Sequence, residues 1–338
     1  MKNFLSYFEF KQSDIYGAIV LLLLVFALPF VVSNDYYVNV LVLVFLYAGM
    51  ASAWNIVGGM AGQFSLGHTA FFGTGAYTST LLFTYADVSP WIGMIAGGVL
   101  SMIFAAIIAY PAFRMRGVFF AMATLAFGET LRILLIYSRK HIDMPYGLSI
   151  NWEPGLANMI FEDRSSYALL TGAFLILVTM VAFGLSRSYV GIYLRAIRDS
   201  EEAAVAAGVP MQRYKMIAFL ISAFFTSAGG TLLAQYVLYI EPTTVFSMAY
   251  SVDLPLMALL GGIGTVAGPI LGAFIALPLR DVLLELFGSG AAGLHLAIYG
   301  VMLMVIVIVL PSGLIGGFKS LQTRLRKTTS KREESNDA

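Results

Sequence analysis

Residues 187–215 read RSYVGIYLRAIRDSEEAAVAAGVPMQRYK. This is the one long polar segment set between apolar runs in the body of the chain. It carries five basic residues (Arg187, Arg195, Arg198, Arg213, Lys215) and three acidic ones (Asp199, Glu201, Glu202). From Gly191 to Gly208 it has no proline and is rich in helix formers, so the pattern predicts a helix over 191–208 stopped by Gly208 and Pro210. Tyr193, Ala196 and Ile197 fall at helical spacing and give a short apolar face, with Arg195, Arg198, Asp199 and Glu202 to its side. Such a helix suits a docking surface; a solvated loop is the plainer reading of the same composition.

Outward from this segment the chain turns oily. Of its 338 residues 59% are hydrophobic and 12% charged, with a mean hydropathy of +0.83. A soluble domain carries roughly 25% charge. So few polar residues cannot cover a water-facing surface, and the chain reads as an integral membrane protein. Apolar runs near 20 residues recur, which means helices; barrel strands would alternate over about ten residues. The expected fold is an all-α polytopic membrane protein with ten spans near 15–32, 38–57, 68–86, 91–111, 117–137, 166–186, 216–239, 248–261, 268–286 and 293–311. The run Gly17–Val32 follows Lys2 and Lys11 as a signal peptide would. No small-x-small cleavage site comes after Val32, so it is read as an uncleaved first span.

Ten spans place both termini on one side, and fifteen of the twenty Lys and Arg fall on that side. The positive-inside rule then makes the termini and the 187–215 segment cytoplasmic. Arg139 and Lys140 run against the bias, in a 138–165 loop that also holds Asp143, Glu153, Glu162 and Asp163. Residues 1–318 form the expected transmembrane domain, and 319–338 a polar tail expected to be disordered. Trp54, Trp91 and Trp152 fall near predicted interfaces, where an aromatic belt would put them. With no cysteine, disulfides and thiolate sites are excluded.

Two glycine-interrupted stretches stand out, Gly58–Gly75 and Gly261–Gly272. Broken apolar segments in the two halves of a transporter mark its pathway. Close helix packing through small residues, as at Gly268 and Gly272, is the other reading, and the two are compatible. Gly59, Gln63, Ser65, His68, Gly262 and Gly264 are therefore candidates for lining a substrate path. Gln63, Ser65 and His68 equally suit the satisfaction of broken backbone. Glu129 and Arg132, three apart on the fifth span, read as a structural ion pair locking that span to its neighbours, or as an ion relay. There is no GxxxxGK[ST] loop, GxSxG elbow or HExxH, and His68, His141 and His295 are too scattered for a metal site. No catalytic set and no metal site is expected, and the scarcity of ionisable groups points to an external energy source.

Glu202-Ala203-Ala204 followed by Gly208 is similar to the EAAxxxG loop of bacterial ABC importer permeases, although the usual downstream I-x-L-P is absent. Over nearly its whole length the chain resembles the LivM-type permeases of branched-chain amino-acid importers. The carrying stretches are GGMAGQFSLGHTAFFGTGAY (58–77), RGVFFAMATLAFGETLR (116–132), GIYLRAIRDSEEAAVAAGV (191–209) and LMALLGGIGTVAGPILGAF (256–274). The resemblance implies a permease in the cytoplasmic membrane of a bacterium or archaeon. Its partners would be a homologous LivH-like permease, two ATP-binding subunits and a periplasmic or lipid-anchored binding protein. ATP and Mg would sit on the ATPases, with no cofactor on this chain, and the cargo would be leucine, isoleucine, valine or, in some members, urea or another amide. It also implies ATPase coupling through Arg195, Arg198, Glu202, Ala203, Ala204 and Gly208. A stand-alone secondary transporter or channel, or a lipid-acting enzyme using His68 or Glu129, are the rival classes.

Overall fold

The computed structural model describes residues 12–32, 34–141, 145–287, 293–310 and 313–317. The tail expected over 319–338 lies outside the described residues. Long helices occupy every position where an apolar run predicts one. They are α1 (Gln12–Val31), α2 (Asp35–Asn55), α3 (His68–Ala86), α4 (Pro90–Ala112), α5 (Val118–His141) and α6 (Arg164–Arg187). Two short helices follow, α7 (Tyr189–Asp199) and α8 (Glu201–Ala206). Then come α9 (Met211–Val237), the helical turn α10 (Pro242–Val245), α11 (Met248–Gly261), α12 (Gly268–Phe287) and α13 (Leu294–Val309).

Among the described residues, six stretches are long and apolar enough to cross a membrane by themselves: Asp35–Met60, Pro90–Ala112, Val118–Arg139, Arg164–Arg187, Met211–Val237 and Pro242–Gly261. The others fall short for visible reasons. α12 carries Arg280, Asp281 and Glu285, α3 is rich in Thr and Gly, and the apolar parts of α1 and α13 shorten to Val20–Val31 and Leu296–Ile306. The chain is a polytopic helical membrane protein.

A helix that is apolar all round belongs inside a protein, and α2 is such a helix. Asn34 caps its start by accepting from the Tyr36 amide at 2.9 Å. It then runs through the centre, buried without a break from Val44 to Asn55, against α6, α9, α11 and α12. α3, α4 and α9 make a second tight group, whose backbones meet where Gly230 faces the Phe72 carbonyl. Gly268 and Gly272 bring α12 against the backbone of Gly262 and Met257, the small-residue packing expected there. α5 lies at the rim, with Ile133, Leu134 and Tyr137 exposed.

The loops gather at two ends. At one end β1 (Leu148–Ser149) pairs antiparallel with β2 (Tyr239–Ile240), Leu148 opposite Ile240. The sequence reading contained no strand, because two residues leave no periodicity to detect. Trp91 Nε1 donates to the Leu156 carbonyl at 2.8 Å at this end, and Arg164 Nη1 to the Asp35 carbonyl at 3.2 Å. At the other end lie the turn after α4, the 61–67 and 262–267 loops, and α7 with α8.

Three sequence expectations need correction. The single helix over 191–208 is two, broken at Ser200. Ser200 is extended, and its Oγ accepts from the Ala203 amide at 3.2 Å. An N-cap serine followed by two glutamates is a start signal strong enough to interrupt a helix. The buried face of α7 is Gly191, Leu194 and Ile197, while Ala196 is exposed and Tyr193 packs at a tilt against Tyr214 with centroids 4.6 Å apart. Trp54 is fully buried and donates to the Ser65 carbonyl at 2.8 Å. It holds the 61–67 loop instead of joining an interfacial belt.

Candidate functional site

α2 does not stop cleanly at Asn55. It continues into a widened π-turn, Ile56–Met60, a form that occurs mostly as single turns and often at functional places. Asn55, 1% exposed, closes this end. Its Nδ2 donates to the Thr265 carbonyl at 2.8 Å, and its Oδ1 accepts from the Gly264 amide at 2.8 Å. One side chain thus holds two backbone groups of the loop between α11 and α12. The two glycine-broken stretches meet here. A Cβ on Gly59 would stand 2.5 Å from the Gly264 amide nitrogen, and one on Gly264 would stand 2.9 Å from the Gly59 carbonyl oxygen.

The polar segment reaches the same point. Arg198, on the last turn of α7, donates from Nη1 to the Gly59 carbonyl at 3.2 Å and pairs with Asp199 at 3.2 Å. That Nη1 would lie only 2.8 Å from a Cβ on Gly264, whose φ of +77° also excludes most side chains. Beside this junction Glu201 collects partners from three elements. Lys215 Nζ, on a side chain 1% exposed, lies 2.5 Å from Glu201 Oε1. Gln63 Nε2 donates to the same oxygen at 3.0 Å, and Arg116 Nε lies 3.7 Å from Oε2. Burial alone would push the Glu201 carboxyl up; the Lys215 ammonium, Gln63 and Arg116 outweigh it and hold the group below its ordinary range. Gln63, Arg116, Arg198 and Glu201 line an open cleft of about 270 Å3 between α7–α8 and the 61–63 loop, with Lys215 buried behind it.

The structure places the other expected residues as follows. Glu202 is exposed and meets Arg116 at 3.1 Å; Ala203 and Gly208 are exposed, and Ala204 is buried. Gly208 takes φ +82° as the expected stop. Arg195 donates to the Ser186 carbonyl at 2.8 Å, at the end of α6. Gly262 caps α11. Of the six pathway candidates, Gly59, Gln63 and Gly264 come together with Arg198 and Glu201. Ser65 and His68 lie apart from them: Ser65 Oγ accepts from the Gly67 amide at 3.3 Å, and His68 Nε2 sits 2.8 Å from Ser222 Oγ in full burial. Arg132 Nε donates to Glu129 at 3.0 Å; both lie on the outer surface of α5, so the pair does not bridge to a neighbouring span.

The sequence marks neither Asn55 nor Lys215 as a site residue. Asn55 sat inside an apolar run, and its partners are 209 and 210 residues away. Lys215 counted only as one more basic residue of the segment. Among the described residues no group of three metal-ligating side chains gathers.

The family model described as the branched-chain amino acid transport system permease component matches residues 36–307, which takes in every element of this junction. The chain belongs to this permease family. Among its relatives, the high-affinity branched-chain amino acid transport system permease protein LivM of Escherichia coli is 29% identical over 288 residues, 78% of this chain and 67% of that one. A probable LivM of Methanocaldococcus jannaschii is 23% identical over 276 residues, 76% of this chain and 77% of its own. The L-arabinose ABC transporter permease protein AraH of Azospirillum brasilense is 27% identical over 226 residues, 62% and 61%. No solved structure matches the chain. The chain is thus a transport permease component of the ABC type, not an enzyme.

Proposed function

We infer that this permease is the membrane-spanning subunit of an ATP-driven importer of branched-chain or other hydrophobic amino acids. The expected ten spans put the termini and α7–α8 in the cytosol. ATP would be hydrolysed on separate ATPase subunits docked on α7–α8, beside a second, homologous permease. A binding protein outside would deliver cargo to the loops 138–165 and 240–253. The single observation that carries this reading is the Arg198 guanidinium on the Gly59 carbonyl, beside Gly264. A push on α7–α8 is delivered straight to the two broken stretches, where backbone is free to change shape. A shift between inward- and outward-facing states needs a partner that contacts them differently. An ATPase pair that opens and closes against exposed Glu202, Ala203 and Val205 would supply that difference.

The family description and two of the quoted relatives carry branched-chain amino acids in their names, which supports that cargo; the arabinose name keeps sugars as the competing cargo. The test uses a membrane that expresses the permease with its neighbouring transport genes. L-leucine uptake should require ATP, and Val205→Cys in this cysteine-free chain should cross-link to a nucleotide-binding subunit. Cross-linking to no such subunit, with ATP-independent uptake, would refute the coupling. Uptake of arabinose but not leucine would refute the cargo.

A further inference from the structure

At the opposite end from Arg198, a cleft of about 480 Å3 opens below the β1–β2 loops, between α2, α10, α11 and α12. That is within the range of roughly 300–1,000 Å3 typical of small-molecule sites. It runs from Glu241 in the loop to Tyr47, the thirteenth residue of α2, about 18 Å along that helix at 1.5 Å per residue. Near its floor Arg280 of α12 faces Asp253 of α11, Nη1 to Oδ2 at 3.5 Å. Apart from Glu241 and Ala249 near its mouth, the rest of the lining is aromatic or hydroxylic. Tyr47 and Tyr250 stack with centroids 6.0 Å apart, and Ser247 stands at the rim.

Charges inside membrane helices are rare and mark pathways or partners. This pair is a poor structural clamp. It makes one contact at the limit of hydrogen bonding, where a guanidinium offers five donors and can grip a carboxylate with two. Glu241, the other carboxylate of the cleft, already accepts from Thr243 and Thr244 at 2.9 and 2.7 Å. Asp253 is thus the carboxylate with capacity to spare. Deep in the cleft one cation and one underused carboxylate stand side by side, with aromatic walls next to them, while Glu241 is engaged by its own threonines. That is the complement of a small molecule with an ammonium, a carboxylate and an apolar side chain.

We propose that this cleft binds the zwitterionic head of an amino acid in transit, its ammonium on Asp253 and its carboxylate on Arg280, with the apolar side chain against Tyr47 and Tyr250. The proposal rests on the reading of the chain as an amino-acid importer. A neutral sugar would leave both charges unanswered, so the pair also discriminates between the two cargo classes named among the relatives.

The chain has no cysteine, so a single Ala249→Cys, exposed on the cleft wall, reports on occupancy. In spheroplasts carrying the full chain with its partner genes, a membrane-impermeant thiol reagent should label it, and excess L-leucine should slow the labelling severalfold. Excess arabinose should not. Adding Asp253→Asn or Arg280→Gln should remove the protection, with leucine uptake falling about tenfold or more, as loss of a charge-assisted contact predicts. The charge swap Asp253→Arg with Arg280→Asp would rescue a pair that serves only to clamp α11 to α12. Here it should not restore uptake, since the substrate would meet both charges reversed. Leucine uptake without any leucine protection of Ala249→Cys, no labelling from outside, or rescue by the swap would each overturn the site while leaving the importer reading intact. No leucine uptake by the parent system would overturn that reading and the site with it.

Discussion

Replacing Glu201 by alanine takes the counter-charge from a lysine that is 1% exposed and had its Nζ 2.5 Å from the carboxylate. Removing one partner of a buried pair costs about 3–5 kcal/mol, because the remaining charge is stranded. Glu201 itself is 22% exposed. Water can reach its place in the variant, which puts the expected loss at the lower end, about 3 kcal/mol. Lys215→Met is milder, near 1 kcal/mol, since the carboxylate keeps Gln63 and Arg116 and some contact with water. The informative measurement is the double variant. With the charge and its partner both gone, an apolar side chain fills the buried space, and stability should recover by about 2 kcal/mol over Glu201→Ala alone. The assay is reversible unfolding of the purified chain in mixed micelles, read by tryptophan fluorescence, for the parent, both single variants and the double. If the two losses simply add to within about 0.5 kcal/mol, the pair is not coupled and the account of Glu201 is wrong.

Acid should reveal the same group. Because its carboxyl is held down in the folded chain, its contribution is complete above the ordinary value of 4.5 and fades as pH falls through the lowered native value. Glu201→Gln should therefore flatten the acid limb of a stability–pH curve, and an unchanged limb would count against the assignment. Asn55→Ala leaves the Thr265 carbonyl and the Gly264 amide unpartnered; both are half-buried, so each falls toward the lower part of the about 1–3 kcal/mol range for a buried group, and unfolding should show a loss of roughly 2–4 kcal/mol. Arg116→Ala, on a side chain 68% exposed, should change stability by less than about 1 kcal/mol in the same assay, although it touches both Glu201 and Glu202.

The apolar runs made the positions of the long helices legible, because membrane-length hydrophobicity is a property of neighbours in the chain. Gly208 could be read as a stop for a similar reason. The two glycine-broken stretches were visible too, but not that they touch, since the contact of Gly59 with Gly264 is set by how α2 meets the α11–α12 hairpin. Arg198 reads from the sequence as a coupling charge at the side of a docking helix, yet its partner is a backbone carbonyl 139 residues away, which no local pattern announces. The break at Ser200 was within reach. Serine followed by two glutamates is a start signal, masked here by flanking residues that are good helix formers. Trp54 misleads because an indole near a helix end looks the same in sequence whether it faces lipid or donates to a loop. Asp253 and Arg280 lay 27 residues apart on two successive helices, and nothing short of the hairpin's geometry sets them face to face.

The small ladder of Leu148–Ser149 with Tyr239–Ile240 has a mechanical reading. It ties together two strips of chain that are ninety residues apart, so neither can be tugged without loading the other. The second strip runs directly into α10 and α11. Whatever grips either strip from above is therefore rigged to the top of the very rod that bears Asp253, and a tether of two residues is enough to turn a surface event into a pull on the interior.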